Sequence, residues 1–243
     1  MDKTGAFADL GGHFRAFVLC GGLGTRLRSV LSDRPKSMAL IGNVPFLQLL
    51  LLGLKAQGVQ EVILGTGYRA DQIEDFFQTG EAIGLRLHYS NENAPLGTGG
   101  ALKLSEGLLS DPVVVLNGDS YVEWSLAAMA DLFREKEADI IMVLQEVPDV
   151  SRYGSVTIDS DGRVAEFVEK GSRSGAGLIN AGIYLLRKDI VTGLAAGTAI
   201  SLERDVFPKY LGAKFFGLVA RGIFIDIGIP ADLERAQTVL GSV

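Results

Sequence analysis

The chain has 243 residues, of which 47% are hydrophobic and 21% charged, and its formal net charge is −6. This length and apolar content predict one globular domain with a sizeable core, while an acidic chain without a basic block argues against nucleic acid as a partner. One cysteine excludes a disulfide framework and a cysteine-based zinc site, and two histidines leave little for histidine-centred catalysis.

Strand and helix patterns alternate after a poorly patterned extension at residues 1–14. This alternation predicts an α/β fold with a doubly wound, mostly parallel sheet. The cleft of such a sheet opens at the carboxyl ends of its strands. In chain order the predicted elements are strand 15–20, helix 45–57, strand 61–65, helix 70–78, strand 85–90, helix 98–109, strand 113–117, helix 125–136 and strand 139–145.

The pattern changes after residue 146. Segments 155–159 and 163–169 alternate in hydropathy around an Asp-Ser-Asp-Gly turn, which predicts a β-hairpin. We expect residues 15–243 to form one domain, in which residues 147–243 make a small antiparallel lobe beside the parallel half at 15–146. Further strands are predicted at 182–186, 215–219 and 222–225, and helices at 201–210 and 229–240.

A glycine-rich loop follows the first predicted strand, where residues 21–27 read GGLGTRL. Its three glycines leave backbone N–H groups uncovered, so that an anionic group can approach closely. Arg26 and the Pro35-Lys36 pair add positive charge, which favours a phosphate site over a plain glycine-rich turn. The third glycine of a dinucleotide-binding fingerprint is replaced by Leu27, and the P-loop pattern is absent.

The pattern GGLGTRL followed by Pro35-Lys36 resembles the signature of the sugar-phosphate nucleotidyltransferases. The likeness extends over about residues 15–240 and is greatest to heptose 1-phosphate guanylyltransferases, near the mannose 1-phosphate guanylyltransferases. It implies a Rossmann-like fold with a nucleotide-binding half and a sugar-phosphate-binding half. The implied reaction is Mg²⁺-dependent transfer of GMP from GTP to D-glycero-D-manno-heptose 1-phosphate, which yields GDP-heptose for a surface polysaccharide and pyrophosphate.

Two aspartates follow predicted strands at their carboxyl ends. Asp119 comes just after strand 113–117 and Asp226 just after strand 222–225, and hard oxygen ligands of this kind suit Mg²⁺. The resemblance makes these aspartates the metal pair. It also implies that Arg26, Lys36 and Asp119 are catalytic, with Arg26 gripping pyrophosphate oxygens and Lys36 reaching a phosphate.

The resemblance also assigns substrate-binding residues. Segment 95–101 is a second glycine-rich loop that would pack against the base, and the upstream Glu92 would accept both N–H groups of guanine, although a plain surface glutamate is the competing interpretation. Residues 201–203 would close the pocket. The implied nucleotide-binding residues are Gly21, Gly22, Gly24, Thr25, Arg26, Glu92, Gly97 and Thr98, and the implied sugar-phosphate-binding residues are Gly154, Glu169, Lys170 and Asn180.

Other functions stay open at this point. Mannose 1-phosphate with GTP, or another hexose 1-phosphate with UTP or dTTP, would keep the fold. A non-catalytic sugar-nucleotide sensor need not keep the metal carboxylates, and an NAD-dependent oxidoreductase is opposed by the missing third glycine. The expected partners are a nucleoside triphosphate and a sugar 1-phosphate, and a homo-oligomer is compatible with the sequence. Since no apolar run reaches the ~20 residues of a membrane span and a signal peptide is absent, we expect no membrane partner and a cytoplasmic location.

Overall fold

Strands and helices alternate in the first half of the chain, and strands dominate the second. The computed structural model describes residues 14–22, 24, 27, 31, 33–168 and 171–241. Within these residues the strands are β1 (Arg15–Leu19), β2 (Leu40–Ile41), β3 (Val44–Pro45), β4 (Glu61–Thr66), β5 (Arg86–Asn91), β6 (Val113–Asn117), β7 (Ser120–Val122), β8 (Ile140–Val147), β9 (Ser155–Ile158), β10 (Val164–Val168), β11 (Gly177–Leu186), β12 (Phe215–Ala220) and β13 (Phe224–Asp226). The α-helices are α1 (Phe46–Ala56), α2 (Ala70–Phe77), α3 (Gly97–Leu104), α4 (Leu126–Glu135), α5 (Lys188–Thr192) and α6 (Pro230–Leu240).

The central sheet has the strand order β10–β9–β11–β6–β1–β4–β5, and β8 and β12 extend it beside β11. Strands β5, β4, β1 and β6 are parallel to one another. Strand β11 runs antiparallel to both β6 and β8, while β12 is parallel to β8. The expectation of a mixed α/β fold, with a mostly parallel sheet and a smaller antiparallel part, is confirmed.

Helices cover both faces of this sheet because successive side chains of a strand point to opposite faces. On β1, Val18 packs into a cluster that is covered by α1, α2 and α4, which we call the α1 face. Its neighbour Phe17 packs into a second cluster covered by α3 and α5, the α3 face. Burial on both faces explains the unbroken apolar run of β6.

Local signals explain several helix starts. Ser125 caps α4, since its Oγ accepts a hydrogen bond from the backbone N–H of Ala128 at 3.2 Å. Pro230 is the first residue of α6, where its missing N–H costs nothing. The predicted helix at 201–210 is instead a π-helical turn at Leu202–Val206 followed by a 3₁₀ turn at Phe207–Tyr210. Pro208 lacks the donor that a continuing α-helix would need.

The second half of the chain joins the same sheet as the first. Strand β11 lies between β6 and β8, and it starts earlier than predicted, at Gly177. The predicted hairpin between β9 and β10 is present, with the Gly162 N–H donating to the Asp159 carbonyl at 3.1 Å. The parallel strands β1, β4 and β6 have their carboxyl ends at the same edge of the sheet, and the candidate site lies at that edge.

Candidate active site

A pocket of about 370 Å³ opens at the carboxyl ends of three parallel strands. Leu19 of β1, Gly65 of β4 and Asn117 of β6 line it, which is the position expected for a ligand site in an open α/β sheet. Distant parts of the sequence converge here. The predicted site residues in its lining are Gly21, Gly22, Gly24, Lys36, Glu92, Gly97, Thr98 and Asp119.

The remaining predicted site residues are not in this lining. Asp226 lies beside it, in contact with Lys36. Gly154 and Asn180 lie together on the α3 face, where the Asn180 N–H donates to the Gly154 carbonyl at 3.0 Å. Thr25, Arg26, Glu169 and Lys170 lie outside the described residues.

The first glycine loop offers open backbone to the pocket. At Gly22 no atom of the described residues beyond its chain neighbours lies within 4 Å of where a Cβ would stand, so these residues leave its backbone open to a ligand. Gly24 has a φ of +57°, and a Cβ there would lie 3.2 Å from the Cβ of Lys36. A glycine at 24 thus suits both the left-handed turn and the close passage of Lys36.

Lys36 brings the two predicted metal aspartates together. Its Nζ lies 2.7 Å from Oδ2 of Asp119 and 3.5 Å from Oδ1 of Asp226. The aspartates are neighbours because β13 pairs with β7 so that Asp226 stands opposite Ser120. The Ile227 N–H also donates to the Asp119 carbonyl at 3.0 Å. The Lys36 ammonium thus offsets negative charge from both carboxylates.

The charge of Lys36 affects the protonation of Asp119. Burial would raise the pKa of the Asp119 carboxyl, but the Lys36 ammonium and the Ser120 hydroxyl outweigh it and hold that pKa below its ordinary value. Asp119 is therefore anionic at neutral pH. Within the described residues no group of three or more His, Cys, Asp or Glu side chains gathers around one point. A pair of carboxylates suits Mg²⁺, which keeps phosphate and water oxygens among its ligands.

Glu92 lies at the opposite wall of the pocket, and its carboxylate is anchored. Oε2 accepts the Leu96 N–H at 3.0 Å. A Cβ at Gly21 would lie 2.6 Å from its Oε1, and one at Gly67 would lie 3.0 Å from it, so these glycines make room for the side chain. Burial raises the pKa of Glu92, and the Leu96 N–H opposes that effect. Glu92 is thus a built part of the pocket wall rather than a free surface glutamate.

The glycines of the second loop, predicted to pack against the base, also pack against another segment of the chain. A Cβ at Gly97 would lie 2.5 Å from the carbonyl oxygen of Ile200, and one at Gly100 would lie 2.7 Å from that of Thr198. The N–H groups of Gly99 and Gly100 both donate to the Ile200 carbonyl. These glycines therefore let segment 198–200 lie against the start of α3, while Gly97 also lines the pocket.

A polar network that the sequence did not reveal starts from Thr98. Its hydroxyl donates to Oε2 of Glu203 at 2.8 Å, and Oε1 of Glu203 accepts the Tyr184 hydroxyl at 3.1 Å. That hydroxyl in turn accepts from Nδ2 of Asn180 at 2.8 Å. Glu203 was predicted to close the pocket, but Tyr184 stands in an apolar strand and carried no sequence signal.

Cys20, the only cysteine of the chain, lines the pocket without being a nucleophile. Burial and the nearby charge of Asp119 raise the pKa of its thiol to about 12, although a hydrogen bond with Ser37 opposes them. The thiolate, which is the reactive form, is therefore absent at neutral pH. The charged side chains Lys36, Asp119 and Glu92 are therefore the candidates for the chemistry of this pocket.

Comparison with known proteins agrees with this geometry. Residues 15–241 match the nucleotidyl transferase family. The chain belongs to this family. A D-glycero-alpha-D-manno-heptose 1-phosphate guanylyltransferase of Campylobacter jejuni is 40% identical over 218 residues, which cover 90% of this chain and 96% of that protein. A mannose-1-phosphate guanylyltransferase of Mycobacterium tuberculosis is 38% identical over 93% of this chain but only 64% of its own length.

A solved structure provides a second comparison. HddC from Yersinia pseudotuberculosis, complexed with GMP-PN, has a TM-score of 0.82 and 40% identity, over 93% of this chain and 99% of that one. The match covers the segments that supply the pocket at the ends of β1, β4 and β6. No helix among the described residues is long and apolar enough to cross a membrane.

Proposed function

We propose that this protein transfers GMP from GTP to D-glycero-D-manno-heptose 1-phosphate, with Mg²⁺, and releases pyrophosphate. The observation that carries the proposal is that the glycine loop, Lys36, Asp119 and Glu92 line the same pocket. The extent of similarity supports the choice of sugar. The heptose enzyme of C. jejuni matches over nearly its whole length, whereas about a third of the mannose enzyme lies outside the match.

The reaction is an in-line displacement at the α-phosphorus of GTP. A phosphate oxygen of the sugar 1-phosphate forms the new P–O bond, the bond to the β-phosphate oxygen breaks, and pyrophosphate leaves with that electron pair. Because the attacking oxygen is already anionic, the site needs no strong general base. It must bring two polyanions together and hold them in line, which requires positive charge and positioning.

The residues fall into two groups along the pocket. For the nucleotide, the open backbone of Gly21, Gly22 and Gly24 would face the phosphates and Lys36 would neutralise them, while Glu92 would accept the N–H groups of guanine. The family resemblance also assigns Thr25 and Arg26 to nucleotide binding. It assigns Glu169 and Lys170 to binding of the sugar phosphate. Gly154 and Asn180 would meet the sugar, and Gly97 and Thr98 would border the base.

Asp119 and Asp226 would hold the divalent metal that nucleotidyltransferases of this family use. The donor set fits Mg²⁺, because two carboxylates plus phosphate oxygens are its common protein environment. When bound, the ion neutralises phosphate charge and favours the in-line geometry. The contacts of the Lys36 ammonium with both carboxylates support a cation site here, because they place two negative charges close together.

The first test is pyrophosphate release with Mg²⁺, measured for GTP, ATP, UTP, CTP and dTTP against a panel of sugar 1-phosphates that includes the heptose and mannose. We expect release with GTP and the heptose 1-phosphate. Release with another pair would retain the mechanism and overturn the specificity. Absence of release with every pair would contradict the proposed enzyme and favour a sugar-nucleotide sensor.

Asp119→Ala tests the metal assignment within the same assay. We expect turnover to fall about a hundredfold or more, because the site loses metal-held charge at the reacting phosphate. Asp131→Ala is the matched control, since Asp131 is an exposed residue of α4 that pairs with Arg134 and does not line the pocket. Undiminished Mg²⁺-dependent turnover in Asp119→Ala, with native circular dichroism, would refute the assignment.

A further inference from the structure

A continuous chain of hydrogen bonds links Thr98 in the pocket lining to Asn180 through Glu203 and Tyr184. Thr98 donates to Glu203 at 2.8 Å, Tyr184 donates to Glu203 at 3.1 Å, and Asn180 donates to Tyr184 at 2.8 Å. Glu203 also accepts the Ser201 hydroxyl at 2.8 Å. One carboxylate thus holds the first turn of α3 and, through a phenol, a residue of β11.

The Tyr184 hydroxyl donates one hydrogen bond and accepts another, and its surroundings fix which partner is which. Tyr184 is fully buried, so no water competes for its hydroxyl, and burial with the nearby Glu203 charge raises its pKa well above the ordinary value. A protonated phenol facing an anionic carboxylate donates to it. Its oxygen is then left as an acceptor, and it accepts the amide of Asn180.

These bonds determine which way the Asn180 amide points. Nδ2 donates to Tyr184, and Oδ1 accepts the Gly182 N–H at 2.9 Å. A flipped amide would set an N–H against the Gly182 N–H and an oxygen against the phenol oxygen. An amide nitrogen carries two N–H groups, so the fixed orientation leaves the second one for another acceptor. Gly154, which accepts the Asn180 backbone N–H, marks the same place as part of the predicted sugar side.

We propose that Tyr184 and Glu203 are positioning residues that hold the Asn180 amide so that its second N–H is presented to a hydroxyl oxygen of the sugar 1-phosphate. The same Glu203 carboxylate holds Thr98 at the nucleotide side. The two substrate sites are therefore joined by one carboxylate, and Tyr184 serves only the sugar arm. This inference rests on the proposed function and refines its sugar-binding half.

Tyr184→Phe tests the sugar arm. We expect the KM for the sugar 1-phosphate to rise about tenfold, the effect of losing one well-placed hydrogen bond. The dissociation constant of GTP, measured by calorimetry without sugar phosphate, should change less than twofold. The matched control is Tyr89→Phe, which removes a phenol that donates to the Gln78 carbonyl at 2.6 Å outside the pocket lining. An unchanged sugar KM in Tyr184→Phe would overturn the proposal.

A double-mutant comparison separates positioning from a merely structural role. If Tyr184 acts through Asn180, adding Tyr184→Phe to Asn180→Ala should raise the sugar KM no further, because coupled residues are not additive. Additive increases would refute the proposed route. Glu203→Gln keeps the test open if Tyr184→Phe does not fold. Since Glu203 also holds Thr98, we expect Glu203→Gln to weaken the binding of both the sugar 1-phosphate and GTP. Unchanged binding of both substrates would contradict the inference.

The wild-type assay distinguishes the two possible failures. If the proposed function is wrong, the wild-type protein releases no pyrophosphate with any sugar 1-phosphate. If only this inference is wrong, the wild-type protein is active, and Tyr184→Phe either keeps the wild-type KM for the sugar phosphate or raises it additively with Asn180→Ala.

Discussion

Glu92 is the residue at which one charge would decide which base the pocket accepts. Its carboxylate is fixed by the Leu96 N–H and by the space that Gly21 and Gly67 leave. Guanine presents two adjacent N–H groups, to which a fixed carboxylate is a matched acceptor, whereas adenine and uracil cannot supply both. A hydrogen-bonding site of this kind strongly rejects a base that leaves its polar atoms unpaired.

Glu92→Gln should therefore reduce the preference for GTP over ATP, measured as the ratio of kcat/KM values, by about tenfold or more. The amide keeps the shape of the side chain but offers one acceptor atom where the carboxylate offers two. Glu135→Gln, on the exposed surface of α4, should leave the ratio unchanged. A GTP preference that survives in Glu92→Gln would exclude Glu92 from base selection.

At the scale of single residues, the sequence predicted the chemical role of a side chain better than the residues it contacts in the fold. Lys36 is predicted to reach a phosphate from its sequence motif, whereas its contacts with Asp119 and Asp226, which lie far away in the chain, were not predicted. Such a pairing depends on how β7 and β13 meet, and local patterns do not contain that information. Tyr184 was missed for a related reason, because an aromatic residue in an apolar strand is the ordinary composition of a core.

At the scale of elements, one carboxylate clamps three neighbouring parallel strands. Glu61 begins β4, and its oxygens lie 2.8 Å from Nε of Arg15 on β1 and 2.6 Å from Nη1 of Arg86 on β5. His88 of β5 lies 2.9 Å from the same carboxylate. The hydrogen bond with His88, against the effect of burial and together with both arginines, lowers the pKa of Glu61 from 4.5 to about 2.

This clamp should make the protein sensitive to acid. Because the pKa of Glu61 is lower in the folded state, its stabilising contribution is complete above pH 4.5 and is lost as the pH falls toward about 2. Urea unfolding at pH 6 and pH 3 should show that Glu61→Gln destabilises the protein more at pH 6 than at pH 3. The control Glu137→Gln breaks the exposed pair with Lys214 and should have little effect. Equal losses for Glu61→Gln at both pH values would contradict the clamp.

Long elements with strong periodicity were predicted well, and short or irregular ones were not. The alternation that leads from β1 to β8 was readable because each element buries a regular set of apolar positions. Strands β2, β3 and β7 have only two or three residues, which is too short for a pattern. The sequence predicts a helix at 201–210, but residues Leu202–Val206 form a π-helical turn. The spacing of apolar residues does not reveal which carbonyl accepts each backbone N–H.

At the scale of the whole molecule, both faces of the sheet draw their cores from both halves of the chain. On the α1 face, Val18 of β1 and Ile183 of β11 belong to one cluster. On the α3 face, Phe17 of β1 and Phe215 of β12 belong to another. We propose on this ground that residues 15–243 form one domain, since neither half can bury its apolar face alone.

Unfolding should therefore be one cooperative transition. The single tryptophan, Trp124, packs against the α1 face, so its fluorescence reports on that side, while far-ultraviolet circular dichroism reports on all elements. We expect the two signals to give coincident urea transitions. Two separated transitions would show that the halves unfold independently and would refute the single domain.

The position of β11 has a consequence for biosynthesis. Strand β6 emerges from the ribosome early and pairs with β1, but its other edge receives β11, which is made much later. Strand β8 also waits, because its two neighbours are β11 and β12. An unfinished chain thus carries open apolar strand edges, which are prone to associate with other chains. From the translation of β8 until that of β11, both β6 and β8 therefore wait for the strand that lies between them.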